Sequence, residues 1–112
     1  MDLIHKNSKI FKSIVDNVMS SGFNGIFLVA TNPLDIMTYL TYKYSNLPTN
    51  KVLGTGTTLD TARLRYLMSE KIGISPTSIE AFVIGEHGDS EFIPWSNVSI
   101  ALKGIDEYLS EE

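Results

Sequence analysis

Gly25-Ile26-Phe27-Leu28-Val29-Ala30-Thr31-Asn32-Pro33-Leu34-Asp35 is the stretch on which the fold turns. Residues 25–30 form an apolar run without alternation, which predicts a strand buried on both faces, as in a parallel sheet. Thr31-Asn32-Pro33 then closes the strand. Pro33 suits the first position of a helix and Asn32 suits its N-cap. A helix is therefore expected from Pro33 to about Ser45, stopping before Asn46-Leu47-Pro48. A strand that hands over directly to a helix is the repeating unit of α/β architecture.

Upstream, Leu3, Ile10, Phe11, Ile14, Val15, Val18 and Met19 recur at three- and four-residue intervals. That spacing predicts an amphipathic helix, with Gly22 where its C-cap belongs. Downstream, a short strand over residues 51–53 leads into Gly54-Thr55-Gly56-Thr57, and a helix over residues 59–72 ends at Gly73. The order helix, strand, helix, strand, helix is α/β. It stops there. Residues 79–84 read as a strand, residues 85–89 as a glycine-bracketed turn, 92–93 and 98–102 as short strands, and a weak helix comes last, near Asp106. The seam between the two patterns is expected at Gly54–Gly56, where glycine tolerates the angles of a reorienting chain.

Composition narrows the classes of function. The 112 residues are 43% apolar and 20% charged, ordinary for a soluble globular chain. A formal net charge of −4 gives no basic footprint for nucleic acid or an anionic membrane, so neither is expected as a partner. There is no cysteine, which excludes disulfides, thiolate zinc sites and a cysteine nucleophile, and fits a reducing cytoplasm. The first residues show no signal-peptide pattern. The longest apolar run, residues 26–30, is far short of the roughly 20 residues that span a bilayer.

Three places carry candidate chemistry. Asn32 stands at the carboxyl end of a strand, where open α/β sheets bind ligands, and its amide is either a donor to a substrate oxygen or simply a helix cap. Asp60 and Arg63 are three residues apart on a helix and share a face. Arg63 then either grips a carboxylate bidentately or forms a surface ion pair with Asp60. His87, within Gly85-Glu86-His87-Gly88-Asp89-Ser90, is a sterically open histidine at a strand end, suited to acid/base work or to a structural hydrogen bond in a turn. A nearby carboxylate would fix its tautomer. Asp60, 27 residues upstream, is the candidate, which makes their meeting a tertiary expectation. Together these groups suit a small acid with an adjacent carbonyl or hydroxyl. His5 reads as a surface residue.

Val29-Ala30-Thr31-Asn32-Pro33-Leu34-Asp35, Gly54-Thr55-Gly56-Thr57-Thr58-Leu59-Asp60-Thr61-Ala62-Arg63 and Gly85-Glu86-His87-Gly88-Asp89-Ser90 closely resemble the L-lactate/malate dehydrogenase family in order and spacing. The resemblance implies residues 1–55 as the last part of a Rossmann-type NAD-binding domain and residues 56–112 as the start of an α+β substrate domain. It implies NAD as cofactor, a small 2-hydroxy or 2-keto acid as substrate, and a homo-oligomer, commonly a tetramer. It implies His87 as proton donor and acceptor and Asp60 as the carboxylate that orients it. It implies Arg63 as the grip on the substrate carboxylate and Asn32 as the amide near substrate oxygen and nicotinamide. Ala30, Thr31, Thr55 and Ser13 match cofactor-contacting positions. Glu86 before His87 resembles the lactate branch, with a malate or other 2-hydroxy-acid enzyme as the alternative. Arg65 matches an arginine that binds fructose 1,6-bisphosphate in some bacterial members, but Glu80 stands where a histidine would complete that site, which implies no activation.

The 112 residues hold no G-x-G-x-x-G after a strand, no acidic residue placed for a ribose, and no counterpart of the family's lid arginine. The chain alone is therefore expected to expose apolar sheet faces and edges. It is also expected to hold NAD weakly and to show negligible dehydrogenase activity. The other class of function open to it is non-catalytic association through those faces.

Overall fold

The computed structural model describes residues 2–109 and the side chains of residues 4–108, so Leu3 of the apolar stripe lies outside the described side chains. The chain divides into two compact units, residues 1–56 and 57–112.

In the first unit, helix α1 (Asp2–Ser20) lies against helix α2 (Leu34–Ser45). Its stripe is covered only in part. Val15 is buried, Phe11, Val18 and Met19 are half-buried, and Ile10 and Ile14 face outward. Ser8 Oγ and Tyr44 OH, 2.8 Å apart, add a polar tie between the helices. Strand β1 (Phe27–Val29) pairs in parallel with β2 (Val52–Gly54), with Leu28 opposite Leu53 and Val29 opposite Gly54. Val29, Leu34 and Met37 form the core, with Phe11 and Leu40 packed on it.

Three expectations need correction here. β1 is not buried on both faces. Alternate residues of a strand point opposite ways, and the helices cover the Val29 side only, so Leu28 remains 67% exposed and its partner Leu53 48%. Second, Asn32 is not the helix cap and Pro33 is not its first helical residue. The Asn32–Pro33 bond is cis, Pro33 is extended (ψ 119°), and Pro33 itself occupies the cap position, its carbonyl accepting Met37 N–H at 2.9 Å. Third, β2 starts at Val52 because residues 49–51 turn as a 3₁₀ helix. A Cβ on Gly54 would sit 2.6 Å from Thr38 Oγ1, so glycine lets β2 approach α2 this closely.

In the second unit, helix α3 (Thr58–Ile72) ends on Gly73, at φ +76°, whose N–H closes on Ser69 O at 2.8 Å. Strands β3 (Ile79–Glu80), β4 (Ser99–Ile100) and β5 (Lys103–Gly104) form an antiparallel sheet in that order. Met68, Ile79, Ala81, Val98, Ile100 and Ile105 make its core. Helix α4 (Asp106–Leu109) is a single turn, fixed by Tyr108 OH donating to Ile100 O at 3.1 Å.

The strand expected over 98–102 stops at Ile100. Ala101 and Leu102 both take positive φ, 49° and 71°, the backbone of a type I′ hairpin turn. The strand expected over 79–84 stops at Glu80, and residues 92–93 contribute one bridge, Phe92 to Ile84. Residues 81–83 bond to α3 rather than to another strand. Arg65 Nε donates to Ala81 O (2.9 Å), Thr57 Oγ1 to Val83 O (2.5 Å), and Val83 N–H to Thr61 Oγ1 (3.0 Å). Thr57, Thr61 and Arg65 recur every four residues and so share one helix face. No helix among the described residues is long and apolar enough to cross a membrane.

Candidate active site

The bonds between α3 and residues 81–83 anchor both elements that carry the site. Asp60 sits in the first turn of α3, beside Thr61. After Val83 the chain reaches Ile84, whose N–H and C=O exchange two 2.9 Å bonds with Phe92 and close a loop over residues 85–91. Gly85 (φ +101°) and Gly88 (φ +145°) let the loop turn, and Glu91 N–H caps it on Gly88 O at 3.1 Å. His87 lies on this loop.

The loop brings His87 Nδ1 to 2.8 Å from Asp60 Oδ2, a hydrogen bond across 27 residues of sequence. Both side chains are mostly covered, with 27% of His87 and 16% of Asp60 exposed. A carboxylate accepting from Nδ1 fixes ring orientation and leaves Nε2 as the proton-exchanging nitrogen. Arg63, one turn further along α3, is exposed and makes no ion pair with Asp60. Arg65 points elsewhere: beyond its bond to Ala81 O, its guanidinium lies 4.7 Å from the centre of the Phe82 ring. Glu80 accepts from Ser99 Oγ at 3.0 Å.

One residue escaped the sequence reading. Glu91 Oε2 lies 3.6 Å from His87 Nδ1 and is buried without a hydrogen-bond partner. The available signal was a glutamate four residues after the histidine, with the intervening glycine turn folding it back. The ligand atoms of Asp60, His87 and Glu91 all fall within 4.8 Å of one another, close enough for one cation. A metal on Nδ1 would need the lone pair where the bond to Asp60 needs a hydrogen, so a cation there and that hydrogen bond exclude each other.

The first unit carries the remaining candidates. Ala30, Thr31 and Asn32 follow the carboxyl end of β1, and Thr55 follows that of β2, its N–H donating to Val29 O at 2.9 Å. Adjacent parallel strands end side by side, so these four residues share one edge of the sheet. Ala30, Thr31 and Asn32 are exposed and Thr55 half-buried. Amide, hydroxyl and backbone groups along such an edge fit the carboxamide end of a nicotinamide cofactor. No glycine-rich fingerprint for a pyrophosphate occurs in the sequence. Ser13 is exposed on α1, two residues from buried Val15 and so nearly opposite it around the helix.

Comparison with known proteins gives two family matches. Residues 1–54 match the NAD binding domain of lactate/malate dehydrogenase, and residues 57–112 match the alpha/beta C-terminal domain of the same enzymes. The chain is 58% identical over 111 residues to an L-lactate dehydrogenase of Borrelia hermsii, which covers 99% of the chain and 35% of that protein. It is 56% identical over 112 residues to one of Halalkalibacterium halodurans, covering 100% and 36% respectively. Among solved structures, a minor L-lactate dehydrogenase of Enterococcus mundtii superposes with a TM-score of 0.92 at 49% identity, over 98% of this chain and 35% of that one. A lactate dehydrogenase from a deep-sea metagenome gives 0.93 at 48% identity over the same shares. The chain thus spans about a third of the length of the relatives it matches.

Proposed function

Since the chain belongs to the lactate/malate dehydrogenase family, we propose that it is the central segment of an NAD-dependent L-lactate dehydrogenase, interconverting pyruvate and L-lactate. The observation that carries this reading is the 2.8 Å bond between His87 Nδ1 and Asp60 Oδ2. NAD, when bound, supplies or accepts the hydride. The chain's own residues handle the proton and the substrate. His87 gives a proton at Nε2 to the keto oxygen in one direction and takes it from the hydroxyl in the other. Asp60 holds the ring by its other nitrogen. Arg63, exposed and without a competing bond to Asp60, is the bidentate grip for the substrate carboxylate. Asn32 offers its amide to the substrate oxygen and the nicotinamide, alongside Ala30, Thr31 and Thr55, with Ser13 as a further cofactor contact. The identities to L-lactate dehydrogenases and Glu86 before His87 support lactate over malate.

The chain alone has negligible activity, because nothing in its sequence supplies a pyrophosphate cradle. It works in the cytoplasm, as part of a homo-oligomer, with residues 1–55 in the NAD-binding domain and 56–112 in the substrate domain. Its parent is not activated by fructose 1,6-bisphosphate, since Glu80 sets a carboxylate where the effector's phosphate would need a cationic partner. A second reading, association without catalysis, draws support from the uncovered Leu28 and Leu53 pair.

Calorimetry of the 112-residue chain with NADH and oxamate, a stand-in for the carboxylate and carbonyl of pyruvate, tests the site. Binding that Arg63→Ala abolishes supports the assignment. Binding indifferent to both Arg63→Ala and His87→Ala refutes the roles given to these residues.

A further inference from the structure

Asp60 accounts for one acceptor at His87 Nδ1, but a second carboxylate stands beside the same nitrogen. Glu91 Oε2 is 3.6 Å from Nδ1, too long for a hydrogen bond and short enough for an ion pair. The atom is buried and accepts from no donor. A buried carboxylate oxygen without a donor is unfavourable, and such groups are normally satisfied. Nδ1–H is the donor within reach: closing the gap to hydrogen-bond length takes a movement of less than about 1 Å. Glu91 is also held where it is, because its own N–H caps the turn on Gly88 O and the next residue is paired with Ile84.

We propose that Glu91 is a second acceptor for His87 Nδ1–H, a positioning residue that works with Asp60 to keep the hydrogen on Nδ1. The two carboxylates come from different elements, Asp60 from α3 and Glu91 from the end of the loop that carries His87. When the ring shifts away from Asp60, Glu91 receives the hydrogen bond, and Nε2 stays the nitrogen that exchanges the proton. The tautomer of an imidazole is set by the bond its other nitrogen makes. Two acceptors on one side therefore hold the tautomer over a range of ring positions that one acceptor cannot. The proposal rests on the dehydrogenase reading for one point only, His87 as the proton-transfer group.

The test is the nitrogen-15 signature of the His87 ring in the 112-residue chain, recorded in alkaline solution where the neutral ring has one hydrogen to place. Asp60→Asn, Glu91→Gln and the double variant all preserve side-chain size. Asp60→Asn is expected to keep Nδ1–H as the main form, and adding Glu91→Gln should lower the ratio of Nδ1–H to Nε2–H by at least about tenfold. Glu91→Gln alone should lower it measurably. A glutamate that only packed would leave the ratio unmoved, since glutamine packs alike. The proposal is overturned if Asp60→Asn alone shifts the tautomer as far as the double variant. If the double variant does not fold, the single Glu91→Gln decides, and an unchanged ratio overturns the idea. No ligand or activity enters these spectra, so their failure is separate from a failure of the dehydrogenase reading.

Discussion

Thr61→Val asks whether α3 holds the site by its hydroxyl stitching. Val83 is 7% exposed and its N–H has Thr61 Oγ1 as acceptor at 3.0 Å. Valine keeps the branched shape and removes the acceptor, leaving a buried amide unpaired. That costs about 1–3 kcal/mol. The added methyl on a half-buried helix face returns a fraction of this, so the net loss should be about 1–2 kcal/mol. For a domain of this size, each kcal/mol moves Tm by roughly 4–8 °C, which predicts a fall of about 5–15 °C in the unit spanning residues 57–112. Thermal unfolding followed by near-ultraviolet dichroism gives the Tm, and hydrogen exchange at the Val83 amide gives the local effect, an acceleration of about tenfold or more. Segment 81–83 leads into the loop that carries His87, so the His87 ring signals should broaden as well. An unchanged Tm with Val83 still protected would refute the claim that these side chains replace a strand neighbour.

Other substitutions probe the remaining structure. Met37 is fully buried, and Met37→Ala should cost about 2–5 kcal/mol in urea unfolding, whereas Leu28→Ala on the uncovered face should stay within about 0.5 kcal/mol. Equal losses would show that the Leu28 side is covered in solution. Leu102, 93% exposed at φ +71°, has a left-handed backbone without compensating burial. Leu102→Gly should therefore stabilise the chain by about 0.5–1 kcal/mol, and a drop in Tm would contradict the type I′ geometry. The hydrogen bond and charge of Asp16, aided by Tyr44, hold the Lys12 ammonium above the ordinary lysine value, against a smaller opposing effect of desolvation. A raised folded value means that its contribution is present below the unfolded lysine value and is lost as pH rises through the folded one. Titration of the Lys12 side-chain carbon by NMR should show this, and Asp16→Asn should bring the midpoint down; no change would remove the pair from the account.

Local rules carried the helices. The stripe of α1, the Asn46 and Gly73 stops and the Gly85–Asp89 turn were all legible, because period and caps are properties of neighbouring residues. What failed depended on partners distant in sequence or on rare backbone states. The apolar run marked Leu28 for burial on a second face, and its exposure matches what was expected of the chain alone, since what covers a sheet face is not written in the strand itself. Residues 81–83 have the composition of a strand and spend their backbone groups on Thr57, Thr61 and Arg65. Ala101-Leu102 carries none of the glycine or asparagine that marks a type I′ turn, so the hairpin was hidden. Asn32 looked like a cap because its neighbour's extended backbone was invisible. Of the candidate site, the meeting of Asp60 and His87 was expected from two separate motifs and from the family resemblance, while Glu91, four residues after His87, stands beside the ring only because the loop folds back.

The central claim is that this chain supplies the proton-transfer pair and carboxylate grip of a lactate dehydrogenase. The most direct measurement exchanges the matching 111 residues of the Borrelia hermsii L-lactate dehydrogenase for this chain and follows NADH oxidation by pyruvate. The account predicts an active, assembled hybrid whose turnover falls by about 10²–10⁴-fold with His87→Gln. A folded and assembled hybrid with no activity, or one indifferent to His87→Gln, would contradict it.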